Sequence, residues 1–419
     1  MKNTDKLNIL SILPHMGGGL GAVMPSFIDS IDANHIIACL EVPQNVPKIN
    51  SEIFIDMIYN IRQLKSLIRE SDICVIHMYN HPLLYKFLLE NKLPECRLIY
   101  WYHNLGMFAP YIIRKELIDM SDMFITTTPA SFQVPAVEQV IKNSDTCFKV
   151  RNIFSTRGVD QFLNIPPKIH DGWRIGYVGT LDYSKLHPNF VKMCSKVKGN
   201  TVKFVLCGEP SKELLRDIKD SGIEERFEIL GKVSNVPEIL QTIDIFGYPL
   251  SPYHYGSSEQ VICESQAMGI PAVVLGNLPE SFLIKDKYNG LVTSEKNYHK
   301  AIHKLMKDEN FYGILSINAK VKAQEIYSIE NLTRNWTEVI NNVKQLTKKE
   351  RKLISDPHKI TGFEIFDYSV GGFKEEMLKD SLQWDSETKG SPRHYLKYFP
   401  DDIKLHSIIK QLDKIYDKS

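Results

Sequence analysis

A lysine, two glutamates and a run of glycines mark the places where this chain could do chemistry. In YGSSEQVICESQAMGIPAVV (255–274), Glu259 and Glu264 precede the turn Met268-Gly269-Ile270-Pro271 and an apolar strand. Ser257 and Ser258 are good helix N-cap residues, with Glu259 and Gln260 in the first turn, so a capped helix with its charge at the dipole is one complete explanation. Glu264, about one turn further on, lies close to the face of Gln260 and Ala267. Carboxylates are the usual partners of vicinal ribose hydroxyls, which is the second explanation. Upstream, GYVGTLDYSKLHP (176–188) sets Lys185 six residues after Gly179. A lysine there either neutralises a diphosphate as a point charge or is a solvated loop residue. Replacing it is then expected to weaken diphosphate binding and leave the fold intact. Near the start, PHMGGGLGAVMPSFIDSI carries glycines at 17–19 and 21. Glycine allows positive φ and close backbone approach, and a helix amino end favours anions, so Gly18 and Gly19 are candidate ligand contacts; a plain tight turn is the alternative.

These residues need elements to hold them, and the hydrophobic pattern supplies them. Short apolar, β-branched runs at 8–13, 35–40, 73–77, 98–102 and 123–127 alternate with amphipathic stretches near 20–32, 60–70, 81–90 and 131–143. Such alternation implies βαβ units and parallel sheets covered on both faces. After a polar, double-proline linker following residue 154 the pattern restarts, with strands at 173–178, 202–207, 226–230, 243–248 and 271–275 and helices near 187–198, 211–221, 235–242 and 258–268. Helical patterns at 297–308, 311–325 and 329–346 follow. The expected organisation is a doubly wound domain over 1–160, a second over 170–347 and a C-terminal extension over 350–419. Ligands of such sheets bind outside the carboxyl ends of the strands, so a cleft between facing domains is the expected site.

Composition removes several classes of function. A chain of 419 residues exceeds one compact core. A net charge of +1 excludes a broad cationic field for nucleic acid. The seven cysteines are scattered, none in C-x-x-C, and several sit in apolar runs where free Cys acts as a small hydrophobe. The apolar run near the start is too short for a signal peptide, and no window approaches a membrane span. The expected setting is therefore the reducing cytoplasm, with the inner face of the membrane as an option.

GTLDYSK, FVLCGE, RFEILGKV, VPEILQTIDIFGYPL, ESQAMGIPAVVLGN and YNGLVT occur in an order and spacing that resemble the retaining GT-B glycosyltransferases of the large E-x7-E type, family 4 or group 1, many of them bacterial cell-surface glycan enzymes. The resemblance covers about 170–330 well, the first domain loosely and 350–419 not at all. It implies an α/β GT-B fold of two Rossmann-like domains facing a cleft, here with a mainly helical extension, and transfer of a sugar from a UDP- or GDP-sugar to a glycan or lipid-linked acceptor. It also implies that Lys185 grips the donor diphosphate, that Glu264 holds the ribose, that the glycine loop faces donor and acceptor, and that His103 lies near the donor sugar; a histidine at a strand end is otherwise a structural residue. Gly256 stands where the first glutamate of E-x7-E falls, so the contact to donor-sugar hydroxyls passes to Glu259, taken with His103 as catalytic, or to amides around Ser257 and Ser258. Thr180 replaces the arginine of the family's G-R-L. No D-x-D is present, and the family relies on lysine and helix amino ends for the leaving diphosphate, so neither metal nor cofactor is expected.

Two rivals remain at this level: a nucleotide-sugar 2-epimerase, which needs several acid/base carboxylates, and a non-catalytic nucleotide-sugar-binding or scaffold protein. The extension has apolar mass that disorder lacks, including Trp384, Tyr395, Tyr398 and Phe399. The spacing 405, 408, 409, 412, 415 and 416 draws one apolar stripe along a helix. The extension is expected to pack on the protein's own surface or on a second subunit, with 386–400 shaping the acceptor entrance. Peripheral membrane association and homo-oligomerisation stay open.

Overall fold

The computed structural model describes residues 6–43, 46–233, 235–379, 382–387 and 389–416. The chain divides into two compact units, residues 1–157 with 332–419 and residues 158–331.

Unit 1 holds β1 (Asn8–Leu13), β2 (Asn34–Cys39), β3 (Glu52–Phe54), β4 (Ile73–Met78), β5 (Leu93–Cys96), β6 (Leu98–Tyr102), β7 (Met123–Thr126) and β8 (Val150–Asn152). Seven of these form one sheet in the order β3-β2-β1-β4-β6-β7-β8, and all its pairings are parallel. The strand order reverses at β1 and β4. Strands β4 and β6 are buried at every position, because helices cover both faces of a parallel sheet. The long strands lie where the alternation of apolar runs places them. The three-residue strands β3 and β8 and the strand β5 carry too little apolar sequence to stand out.

Unit 2 holds β9 (Trp173–Val178), β10 (Val202–Cys207), β11 (Phe227–Gly231), β12 (Ile245–Tyr248), β13 (Ala272–Leu275) and β14 (Gly290–Thr293). Their order, β11-β10-β9-β12-β13-β14, is again all parallel, and it reverses at β9 and β12. Gly176 on β9 would bring a Cβ within 2.7 Å of Ile243, so the close packing there excludes any larger residue.

In the C-terminal region, residues 332–419 count with unit 1. Trp336, on the helix Ile329–Val343, is fully buried and meets Phe27 at 4.8 Å and Trp101 at 5.0 Å between ring centroids. Beyond it, β15 (Lys349–Arg351) pairs antiparallel with β5. There Arg351 reaches the buried carboxylate of Asp122, which also accepts from the Leu98 amide at 2.8 Å. The helix Gly362–Ser369 opens with a capping box between Thr361 and Glu364. Trp384, Tyr395, Leu405, Ile408 and Leu412 join the same core as Leu84, Tyr85, Phe87 and Leu88 of the helix Pro82–Glu90. The expected stripe on the last helix, Ile403–Tyr416, is thus packed within its own chain, with Leu405, Ile408, Ile409 and Leu412 buried and Ile415 half-buried; the Tyr416 side chain lies outside the described residues. Asn80 is the polar anchor: it accepts from Tyr395 Oη at 2.8 Å and donates to Ser369 Oγ at 3.1 Å. Gly390 lies so close to Asn80 that an added Cβ would sit 2.4 Å from its Cγ, and its φ of +84° is open to glycine.

Candidate donor site at the switch point of unit 2

Two loops leave the carboxyl ends of β9 and β12, where an open parallel sheet offers a ligand crevice. They are tied together by backbone. His187 donates its amide to Pro249 O at 3.0 Å, and Ser251 donates to Lys185 O at 2.8 Å. Asp182 shapes the tip of the first loop by accepting from the Ser184 amide at 2.9 Å. Lys185 is therefore aimed by local turn chemistry and by its neighbour loop, and the solvated-lysine alternative falls away: its side chain is only 11% exposed.

Its partner is Glu259. Lys185 Nζ lies 2.9 Å from Glu259 Oε2, which also accepts from Tyr248 Oη at 2.6 Å. The ammonium sits 5.5 Å from the centre of the Tyr248 ring and 5.8 Å from that of Tyr255, within cation–π range. Burial by itself drives the Glu259 carboxyl upward, but Lys185, His254 and the Tyr248 hydroxyl together hold it below its ordinary value. Behind this pair, His254 Nε2 meets Glu280 at 3.2 Å, both side chains at or below 1% exposure. Burial lowers the His254 pKa and Glu280 raises it, and the net direction is upward.

The N-cap position falls on Glu259 and not on a serine: the helix runs Gln260–Ala267, and the Glu259 side chain makes no cap hydrogen bond. Glu259 is turned instead to Lys185 and Tyr248, because a buried ammonium is a stronger partner for a carboxylate than the helix amides. Gly256 explains how it fits. A Cβ at that position would lie 1.7 Å from Glu259 Oε1, so the Glu259 carboxylate fills the space in which a side chain at 256 would begin. Ser257, Ser258 and Glu264 are buried, and Gln260 is half-buried at the helix start. Thr180 bonds Tyr255 Oη through its hydroxyl at 3.1 Å, so the position of the missing arginine serves to join the two loops.

The remaining candidates belong to unit 1. Gly18 and Gly19 are exposed at the start of the helix Gly18–Asp29, and Gly18 has a φ of +59° with no atom near its missing Cβ. His103 follows β6. Its Nδ1 is 3.1 Å from Ser155 Oγ, its Nε2 is 3.3 Å from His77 Nδ1, and its ring stacks on His77. Burial and the neighbouring His77 push its pKa well down. Both ring nitrogens are thus engaged inside the unit, as in a structural histidine. Sequence reasoning passed over Tyr248, His254, Tyr255 and Glu280. The first three stand in YPLSPYHY beside the glutamate, and aromatic and histidine density in a loop after a strand was the available signal.

Residues 172–308, within unit 2, match the family described as Glycosyl transferases group 1. The folds of the two units together are those of GT-B proteins. The chain is 26% identical over 133 residues to the UDP-Gal:alpha-D-GlcNAc-diphosphoundecaprenol alpha-1,3-galactosyltransferase of Escherichia coli, an alignment that covers 30% of this chain and 33% of that protein. It therefore spans about a third of the length of the curated relative it matches. Among solved structures it is similar to Anabaena HepE in complex with UDP-glucose, with a TM-score of 0.63 at 15% identity, covering 80% of this chain and 100% of that one. The sucrose-phosphate synthase of Thermosynechococcus elongatus gives a TM-score of 0.63 at 14% identity over 81% of this chain and 99% of that one. No helix among the described residues is long and apolar enough to cross a membrane.

Proposed function

We propose that the protein is a glycosyltransferase that moves a sugar from a nucleotide-sugar donor to a glycan or lipid-linked acceptor. The observation that carries this reading is the buried Lys185–Glu259 pair at the strand-order reversal of a group 1 domain. Lys185 is a cation already desolvated and held by two rings and a carboxylate, so a diphosphate meets an ammonium that needs no reorganisation. Glu259 takes over the contact to donor-sugar hydroxyls that Gly256 cannot make, because its carboxylate occupies that position's side-chain space. Glu264, buried one turn along the same helix, is assigned to the ribose hydroxyls, with Gln260, Ser257 and Ser258 beside it. Gly18 and Gly19 stand at a helix amino end in unit 1, suited to an anionic group.

Barrier lowering in this scheme comes from stabilising the departing diphosphate and orienting the acceptor hydroxyl. The E. coli relative acts on a lipid-linked diphosphate and the Anabaena neighbour binds UDP-glucose, and both support a UDP-sugar and a glycan or lipid-linked acceptor here. Retention of configuration and metal independence belong to the same proposal. The chemistry of the donors supports the latter. His254 Nδ1 accepts from the Gly256 amide at 3.0 Å while Nε2 faces Glu280, so neither ring nitrogen is offered to a cation.

Incubating purified protein with radiolabelled UDP- and GDP-sugars, acceptor glycans and EDTA tests the reading. Transfer to acceptor is expected. Isomerised donor would replace it with an epimerase, and binding without turnover with a non-catalytic role.

A further inference from the structure

Unit 1 has its own strand-order reversal, at β1 and β4, and its polar cluster lies there with a different chemistry. His15 follows β1, Glu41 follows β2, and Tyr79 and His81 follow β4. The helix Pro392–Tyr398, some three hundred residues later in the chain, adds His394 and Tyr398. The Tyr398 hydroxyl donates to Glu41 Oε2 at 2.8 Å and lies 3.4 Å from His81 Nε2. The His81 ring meets those of His394 at 4.9 Å, Tyr398 at 5.2 Å and His15 at 5.9 Å. Tyr79 Oη is 3.3 Å from His15 Nε2. His81 and His394 are buried, whereas His15, Glu41, Tyr79 and Tyr398 are each partly exposed in front of them.

The three histidines share one constraint. Each Nδ1 accepts a backbone amide: Gly17 on His15 at 2.9 Å, Leu83 on His81 at 3.2 Å and Gly390 on His394 at 2.9 Å. An Nδ1 that accepts leaves the neutral ring's proton on Nε2, so all three rings present N–H donors from their far side. Burial lowers the pKa of each. The result is a set of neutral donors around one carboxylate and two phenols. Among the described residues Glu41 makes no other side-chain hydrogen bond, which leaves Oε1 with its acceptor capacity unused. Although His15, Glu41 and His81 are close enough to share a metal ion, their Nε2 lone pairs carry protons. Freeing one would set an Nδ1–H against a backbone N–H. A phosphate would find only a carboxylate and neutral rings. A vicinal diol fits: one hydroxyl donates to Glu41 while its oxygen accepts from the Tyr79 hydroxyl, whose own oxygen takes the His15 Nε2–H, and the aromatic faces suit the apolar side of a sugar ring.

We propose that this cluster is a saccharide subsite and that the C-terminal segment, through Tyr398 and His394, sets its specificity. Only its assignment to the acceptor rests on the glycosyltransferase reading; the saccharide chemistry stands on the cluster itself. Tyr398 is the positioning residue, because it fixes one oxygen of Glu41 and leaves the other to ligand.

The test uses the full-length protein labelled with 13C and 15N in histidine, titrated by NMR with octyl β-glycosides of galactose, glucose and N-acetylglucosamine. UDP and GDP binding is measured in parallel by calorimetry. At least one glycoside should shift the His15 and His81 imidazole resonances. Tyr398→Phe should weaken that glycoside roughly tenfold, because Glu41 is no longer held in place for it, with nucleotide affinity unchanged. Glu41→Gln should weaken it at least as much. The inference is overturned if no glycoside in the panel moves these resonances at millimolar concentration, if Tyr398→Phe binds like the parent, or if Zn2+ titration shifts all three imidazoles with micromolar affinity. Loss of nucleotide binding in the parent protein would instead refute the donor reading of unit 2.

Discussion

Lys185→Ala separates a ligand-binding lysine from one that also supports the fold. The sequence reading expects an intact fold, but the structure pairs Lys185 with a Glu259 side chain that is only 5% exposed. Truncating the lysine leaves that carboxylate buried without its main counter-charge. Breaking a buried pair in this way costs about 3–5 kcal/mol, and the lower end applies here because Tyr248 still donates to Glu259. For a unit of this size 1 kcal/mol is about 2–4 °C, so the melting temperature of unit 2 should fall by roughly 6–12 °C. The pH dependence gives the sign. Burial raises the Glu259 pKa, but Lys185 and its other partners bring it below the ordinary 4.5. The pair's stabilisation is therefore complete above 4.5 and is lost as pH falls through the folded value. The deficit of Lys185→Ala should be full at neutral pH and shrink as pH drops toward and below 4.5, where Glu259 can take up a proton. Lys185→Met combined with Glu259→Gln removes both charges and should recover at least half the loss, a coupling of about 2 kcal/mol. Urea unfolding across pH, followed by far-ultraviolet circular dichroism, measures all three proteins. Equal stability of parent and Lys185→Ala at neutral pH, or a deficit that does not change with pH, would refute the buried-pair argument.

Other outcomes follow from the same geometry. Glu280→Gln takes the charged acceptor from the buried His254 Nε2–H and should destabilise unit 2 by about 1–3 kcal/mol, read as a lower melting temperature in thermal scans. Trp384→Ala should cost about 3–5 kcal/mol in unit 1, and a change below 1 kcal/mol in urea titration would mean the C-terminal segment is not part of its core. A chain ending at residue 349 strips that core from the helix Pro82–Glu90, so it should lose solubility, and a soluble, fully active truncation would contradict the packing. Glu264→Gln, which keeps shape and loses charge-assisted bonds, should weaken nucleotide binding in calorimetry. If only its melting temperature moves, Glu264 is a structural residue.

What the sequence determined by itself is local. Two sets of alternating strands and helices, the start of β1 at Asn8, the span of β9 and the glycine-rich helix start follow from apolar period and from glycine's freedom, which act over a few residues. Lys185 and Glu259 were legible as separate candidates for the same reason. Tertiary structure decided that they bind each other, since that depends on two loops converging from β9 and β12 and on the empty Cβ position at Gly256. It also decided that Glu259, at the N-cap position, turns away from the helix amides, because the competition between a helix amide and a buried ammonium for one carboxylate is settled by burial. The cluster around Glu41 was invisible along the chain for the plainest physical reason. Its members lie between residues 15 and 398, and only the packing of the C-terminal helices on the Asn80 anchor brings Tyr398 to the end of β2.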